Sequence, residues 1–186
     1  MSTDADTVGD NPYRAPDAAE HDAVVDAQID AVVALHDRHP LLARAVDDNF
    51  LLYARRWHLD EAGDAWPRPW HWPAFLFGFH WLMYRRMYLV AFAVLVANFS
   101  LGAAMVLFEF ELAGALLSLG IQLALGIFGN VLYRWHCHRL IARALRRFEG
   151  QPERINAELD RRGGTSKIAL GLGLMLFVVI RILEGA

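Results

Sequence analysis

LVAFAVLVANFSLGAAMVLF (residues 89–108), EFE (109–111) and LAGALLSLGIQLALGIFGNVL (112–132) decide the fold of this chain. The first run has twenty residues, the last has twenty-one, and neither holds a charge. At about 1.5 Å per helical residue each covers roughly 30 Å, the thickness of a bilayer's hydrocarbon core. A segment without access to water must satisfy its own backbone, and runs this long and apolar do so as helices. The expectation is an all-α membrane protein whose centre is a transmembrane helical hairpin over 89–132.

Charge orients the hairpin. Arg85 and Arg86 precede it, Arg134, Arg139, Arg143, Arg146 and Arg147 follow it, and the turn carries only Glu109 and Glu111. The excess of arginine at the open ends predicts that both ends, and the N-terminus, are cytoplasmic and that the Glu-Phe-Glu turn is outside. Trp57, Trp66, Trp70, Trp72, Trp81 and Trp135 all fall on the same side as the arginines, where indole sits between headgroup and hydrocarbon. The seven arginines are expected to contact lipid headgroups, with anionic lipid preferred. They cluster at span ends, which argues for a membrane surface and against a nucleic-acid groove.

The chain has 186 residues, 55% hydrophobic, with a net charge of −3. That balance is uneven: residues 1–72 carry −8 and residues 73–186 carry +5. An acidic arm thus precedes a basic-collared membrane part. A single cysteine, Cys137, excludes an intramolecular disulfide framework and suits a reducing compartment. The acidic first twenty residues lack the apolar core of a signal peptide, so the internal spans are expected to direct insertion.

Taken in order, residues 1–21 read as a disordered acidic tail punctuated by Gly9, Pro12 and Pro16. Residues 22–69 read as a cytoplasmic helical arm and linker. Val25, Ile29, Val32 and Val33 recur at helical spacing to about His36, and Pro40 opens a second helix running to about His58. Leu42, Val46, Phe50, Tyr53 and Trp57 form one continuous apolar stripe on it. The two helices are expected to pack together or to lie against the membrane, and Asp60 to Pro69 reads as linker. Residues 70–88 are an aromatic interfacial segment. Its apolar block from Pro73 to Tyr84 is too short to span and suits an in-plane or re-entrant helix that bends into the first span.

Beyond the hairpin, residues 133–167 read as a basic juxtamembrane helix to about Phe148, followed by a polar connector containing a short helix over about 152–162. Thr165 or Ser166 is placed to cap a last helix over 168–183. Sixteen residues make roughly 24 Å, so this is a short third span or an interfacial helix, with Lys167 and Arg181 snorkelling at its ends.

The ordered markers Asn49 to Trp57, Trp70-His71-Trp72-Pro73-Ala74-Phe75, Trp81 to Tyr88 and Asn130 to His136 resemble the HrgC-like domain-of-unknown-function family of small bacterial inner-membrane proteins. The resemblance runs over about Asn49 to Arg147. It implies a multi-pass protein of the bacterial inner (cytoplasmic) membrane, and it brings no activity with it.

Chemistry-bearing residues are present without the spacing that chemistry needs. His136, Cys137 and His138 are neighbours that point apart on a helix, and no His-x-x-x-His or Cys-x-x-Cys completes a metal site. Cys137 lies beside basic residues but has no base or orienting partner in view. His71 and His80 flank the aromatic block, where packing is the expected use and pH sensing the alternative. No metal, cofactor or catalytic residue is expected. At mid-span Asn98 and Gln122 each stand twelve residues from the turn centre at Phe110 and are expected to pair as intramembrane amides. Gly126 or Gly102 would then permit the close approach. Gly114, Ser118, Gln122, Gly126 and Asn130 repeat every four residues as one small, polar stripe. The function expected is non-enzymatic, an interaction or lipid-associating module with a homo-oligomer or membrane-protein partner. The alternative is a small transport or channel component assembled as an oligomer.

Overall fold

A computed structural model describes residues 18–59, 70–108 and 111–185, and the described residues are helical with no strand. The acidic tail up to Asp17, the linker over Asp60 to Pro69 and the turn residues Glu109 and Phe110 lie outside them. The chain divides into two units at Arg38. The first contains α1 (Ala18–Arg38), which carries the predicted Val25, Ile29, Val32 and Val33 spacing and runs slightly beyond the expected bounds at both ends. The second unit, from His39 onward, holds every other element.

Pro40 opens α2 (Pro40–Val46) at its first turn, as its missing N–H favours. The helix expected to continue to His58 instead breaks at Asp47, which adopts φ 64°, and resumes after a 3-10 turn over Asp47–Asn49 as α3 (Phe50–Arg56). The break has a tertiary cause. Gly164 donates its N–H to the Ala45 carbonyl at 2.9 Å, and a Cβ on Gly163 would lie 2.6 Å from the same oxygen. A distant loop thus occupies the C-terminal end of α2. The stripe itself survives the break: Leu42, Val46, Phe50, Tyr53 and Trp57 are all buried.

The aromatic block forms α4 (Trp72–Tyr84), two half-helices hinged at Gly78, whose φ of 36° and ψ of −104° are far from helical. A straight helix would hold His71 and Trp81 roughly 15 Å apart; their ring centres are 4.7 Å apart. The chain therefore doubles back. His71 donates its N–H to the Gly126 carbonyl at 2.8 Å, Ala74 lies against Gly129, and Gly78 lies against Gln122. The segment expected as an in-plane or re-entrant helix is a tight helical hairpin laid along the next long helix but one.

That long helix is α6 (Glu111–Arg147), 37 residues and roughly 55 Å without interruption. It follows α5 (Tyr88–Phe108), and α4, α5, α7 (Pro152–Arg162) and α2 all pack on it. The last helix, α8 (Lys167–Gly185), has 19 residues rather than the sixteen expected and packs on α4. Ser166 caps it, its Oγ accepting from the Ala169 N–H at 3.1 Å, while the Ser166 N–H donates to the Tyr84 carbonyl. Three segments are long and apolar enough to cross a membrane: Tyr88–Met105, Leu112–Arg147, and a third within Pro152–Ile180 that contains most of α8. Their apolar side chains point outward, with Leu89 72%, Phe99 76% and Ile168 79% exposed.

Candidate functional site

Three helices meet around one guanidinium. The side chain of Arg85, at the end of α4, turns inward and is only 4% exposed. Its Cζ lies 4.7 Å from the ring centre of Tyr53 on α3, 4.9 Å from that of Tyr133 on α6 and 5.6 Å from that of Tyr84. Nη1 donates to the Tyr133 hydroxyl over a long 3.4 Å, and Nε has no hydrogen-bond partner among the described residues. Ring faces are thus the main surroundings of the cation, each contact being worth about 0.5–2 kcal/mol according to its desolvation. The expected headgroup contact does not hold for Arg85. Its neighbour Arg86 occupies the positive-φ turn between α4 and α5 and points the other way, donating to the Arg161 carbonyl.

The wall of this box extends into a hydrogen-bonded chain. The Ala74 N–H donates to Nδ1 of His71 at 3.0 Å, capping α4. A neutral ring with a bare Nδ1 carries its proton on Nε2, which faces the Tyr53 hydroxyl at 3.2 Å. Burial first, then the charges of Arg56 and Arg85, push His71 down to about 4, so the ring stays neutral. Burial raises Tyr53 against the opposing pull of Arg85. Trp57 closes the far side, donating from Nε1 to the Asn130 carbonyl at 3.2 Å. Tyr53, Trp57 and Tyr133 pack on one another in tilted and edge-on contacts with centres 4.7 to 5.7 Å apart.

The remaining arginines predicted for headgroup contact stay at the surface of α6. Arg139, Arg143, Arg146 and Arg147 are exposed and Arg134 is half-buried. Arg139 lies 4.9 Å from the Trp135 ring centre and Arg147 5.4 Å from that of Phe148. Two basic residues that the sequence marked only as part of a polar connector join them. Arg161 and Arg162, at the end of α7, both donate to the nearly buried carboxylate of Glu158, Arg162 at 2.6 Å. Arg44 binds Asp160 at 2.8 Å and ties α2 to α7.

Asn98 and Gln122 face one cavity of about 780 Å³ between α4, α5, α6 and α8. Asn98 donates from Nδ2 to the carbonyl of Val94 in its own helix at 2.8 Å. Gln122 lies against Gly78, where an added Cβ would be 2.5 Å from its Oε1. The small stripe of α6 serves two neighbours: Gly114 meets Met105 of α5 and Gly126 meets the Trp70 ring, while Gly129, beside the stripe, meets Ala74 and Gly102 on α5 faces open space. His80 lines the same cavity, its Nε2 buried with no hydrogen-bond partner among the described residues. Cys137 is buried and free, and no group of three or more His, Cys, Asp or Glu able to hold a metal forms among the described residues.

A family model described as "Protein of unknown function (DUF2628)" matches residues 39–139. The matched stretch begins where the second unit begins and includes each member of the Arg85 box. No curated protein and no solved structure matches the chain.

Proposed function

The chain belongs to the DUF2628 family, and from that premise we propose that it works without catalysis, as a multi-pass membrane protein that gathers anionic lipid. The observation that carries this reading is adjacency. The outward apolar face of α5 gives way, at Tyr88 to Val90, to the exposed guanidinium groups of Arg139 and Arg143 on α6, with exposed Arg146 and Arg147 further along the same helix. Apolar surface of this extent is unfavourable in water and favourable in hydrocarbon, and a basic band at its edge attracts anionic headgroups. In this reading the α4 hairpin re-enters the membrane from the cytoplasmic side, α8 is the third span, and the N-terminus is cytoplasmic. The membrane is the bacterial inner membrane, in keeping with the HrgC-like resemblance. The Arg85 box is the rigid joint between the cytoplasmic helices and the spans. The test is lipid analysis of protein extracted in mild detergent: phosphatidylglycerol or cardiolipin should be enriched over the membrane average. Neutralising the four arginines of α6 should remove the enrichment.

A second reading rests on the cavity. Its apolar wall is interrupted by Asn98, Gln122 and His80, and polar groups at such a depth mark paths for ions or small solutes in transport proteins. A small transport component would show solute flux in proteoliposomes that depends on those three side chains.

A further inference from the structure

Between the start of α5, the C-terminal half of α6 and the end of α7 lies a cleft of about 420 Å³, separate from the Arg85 box and from the large cavity. Arg86, Arg139, Arg143, Arg161 and Arg162 line it. We propose that this cleft binds the phosphate headgroup of one anionic glycerophospholipid, with an acyl chain leaving along the start of α5. The proposal rests on the lipid-gathering reading above and narrows it from a diffuse collar to a single built site.

Charge is the first argument. Five guanidinium groups line the cleft together, and among the described residues the carboxylate bonded to any of them is that of Glu158, behind Arg161 and Arg162. Arg139 and Arg143 have no carboxylate partner among the described residues. So much uncompensated like charge is unfavourable alone and becomes favourable around an anion, and guanidinium forks match phosphate oxygens.

Backbone geometry is the second. Arg86 holds φ 57°, a left-handed conformation that a residue with a side chain rarely adopts, and its donation to the Arg161 carbonyl ties the two sides of the cleft together. This conformation closes α4 in a Schellman-type turn, the Met87 N–H donating to the Leu82 carbonyl at 2.9 Å, and so fixes where Arg86 enters the cleft.

An apolar wall selects the source of the phosphate. The lower wall is Tyr88, Leu89 and Val90, the first residues of an apolar span, and Leu89 points outward. Trp135, also in the wall, carries Arg139 over its ring. An apolar floor under an arginine rim suits a phosphate that brings hydrocarbon with it, whereas a free phosphate ion would gain nothing from Leu89.

Native mass spectrometry of the full chain, released from nanodiscs of phosphatidylcholine with a minor share of phosphatidylglycerol, tests this. One phosphatidylglycerol per chain should be retained. Arg139→Gln and Arg143→Gln should each weaken retention about fivefold, the ratio that roughly 1 kcal/mol per basic residue implies. Arg147→Gln, outside the cleft, should weaken it less than either, and added inorganic phosphate should not compete. Equal weakening by Arg147→Gln would overturn the site and leave the diffuse collar standing. Competition by inorganic phosphate would overturn the lipid as its ligand. Absence of bound anionic lipid in every variant and in the parent would overturn both the site and the reading beneath it.

Discussion

Gly78 and Gln122 touch across the α4–α6 contact so closely that a Cβ on Gly78 would lie 2.5 Å from the Gln122 Oε1. Two separate demands meet at this glycine: a positive φ of 36° and the absence of a side chain. Gly78→Ala should therefore destabilise the protein by about 1–2 kcal/mol, mostly the backbone share, because the atoms in the way are the far end of the flexible Gln122 side chain. Adding Gln122→Ala should recover the steric share and leave the backbone share. Thermal unfolding in detergent of the two single variants and the double variant reads this directly. Full rescue by Gln122→Ala would show that the hinge is not strained.

Arg85 and Arg86 are adjacent and make opposite predictions. A lysine at 85 keeps the charge but loses the flat guanidinium that lies over Tyr53 and Tyr133. Arg85→Lys should cost about 2 kcal/mol or more, and Arg85→Met should cost less, because a buried cation without a carboxylate is replaced by a neutral side chain of similar volume. Equilibrium unfolding in bicelles is the measurement. If Arg85→Lys behaved as wild type, the side chain would be solvated and the box would not exist.

Those two arginines also show where sequence reading stopped. The positive-inside pattern weighs Arg85 and Arg86 alike, and only the turn between α4 and α5 sends one inward and the other toward α7. The stripe from Leu42 to Trp57 was legible because burial follows helical spacing regardless of a local break. The break at Asp47 was not, since its cause is Gly163 and Gly164, more than a hundred residues away. The aromatic block was legible as too short to span. Its reversal depended on one glycine whose partner, Gln122, lies on another helix. Arg161 and Arg162 read as the polar face of a short helix, and nothing local announces that α7 returns them to α6.

His71 should make stability depend on pH. Its folded value, about 4, lies below the ordinary 6.5, so between these limits the unfolded chain binds the extra proton. Stability from the neutral ring is fully present above about pH 6.5, falls as pH drops, and levels off below about 4, a total of roughly 3 kcal/mol at most. Protonation also removes the acceptor of the Ala74 N–H. His71→Asn, which keeps an N-cap acceptor without a titrating group, should flatten the curve in this window. An unfolding midpoint with the same slope in both proteins would mean that another group titrates.

Orientation is testable at the turn, which lies outside the described residues. Phe110→Cys in a Cys137→Ala background should react with an impermeant thiol reagent added to intact spheroplasts if, as proposed, the arginine-rich open ends face the cytoplasm. Labelling confined to lysed cells would reverse the topology and place the phosphate cleft on the outer face.

The last prediction concerns Asn98 and Gln122, whose equal distance from the turn centre suggested a direct pair. The Asn98 Nδ2 is already committed to Val94, and Gln122 is held against Gly78. They share the wall of the large cavity, and the cavity separates what it does not connect. A double-mutant cycle of Asn98→Leu and Gln122→Leu, followed by unfolding in bicelles, should give an interaction energy within about 0.5 kcal/mol of zero. Gln122→Leu should still lower stability through its contact with α4, while Asn98→Leu should change it little. A coupling near 1 kcal/mol, the size of an interhelical amide bond in lipid, would show that the two amides meet. Near-zero coupling together with lost flux in proteoliposomes would instead favour the cavity as a solute path and the transport reading over the lipid-gathering one.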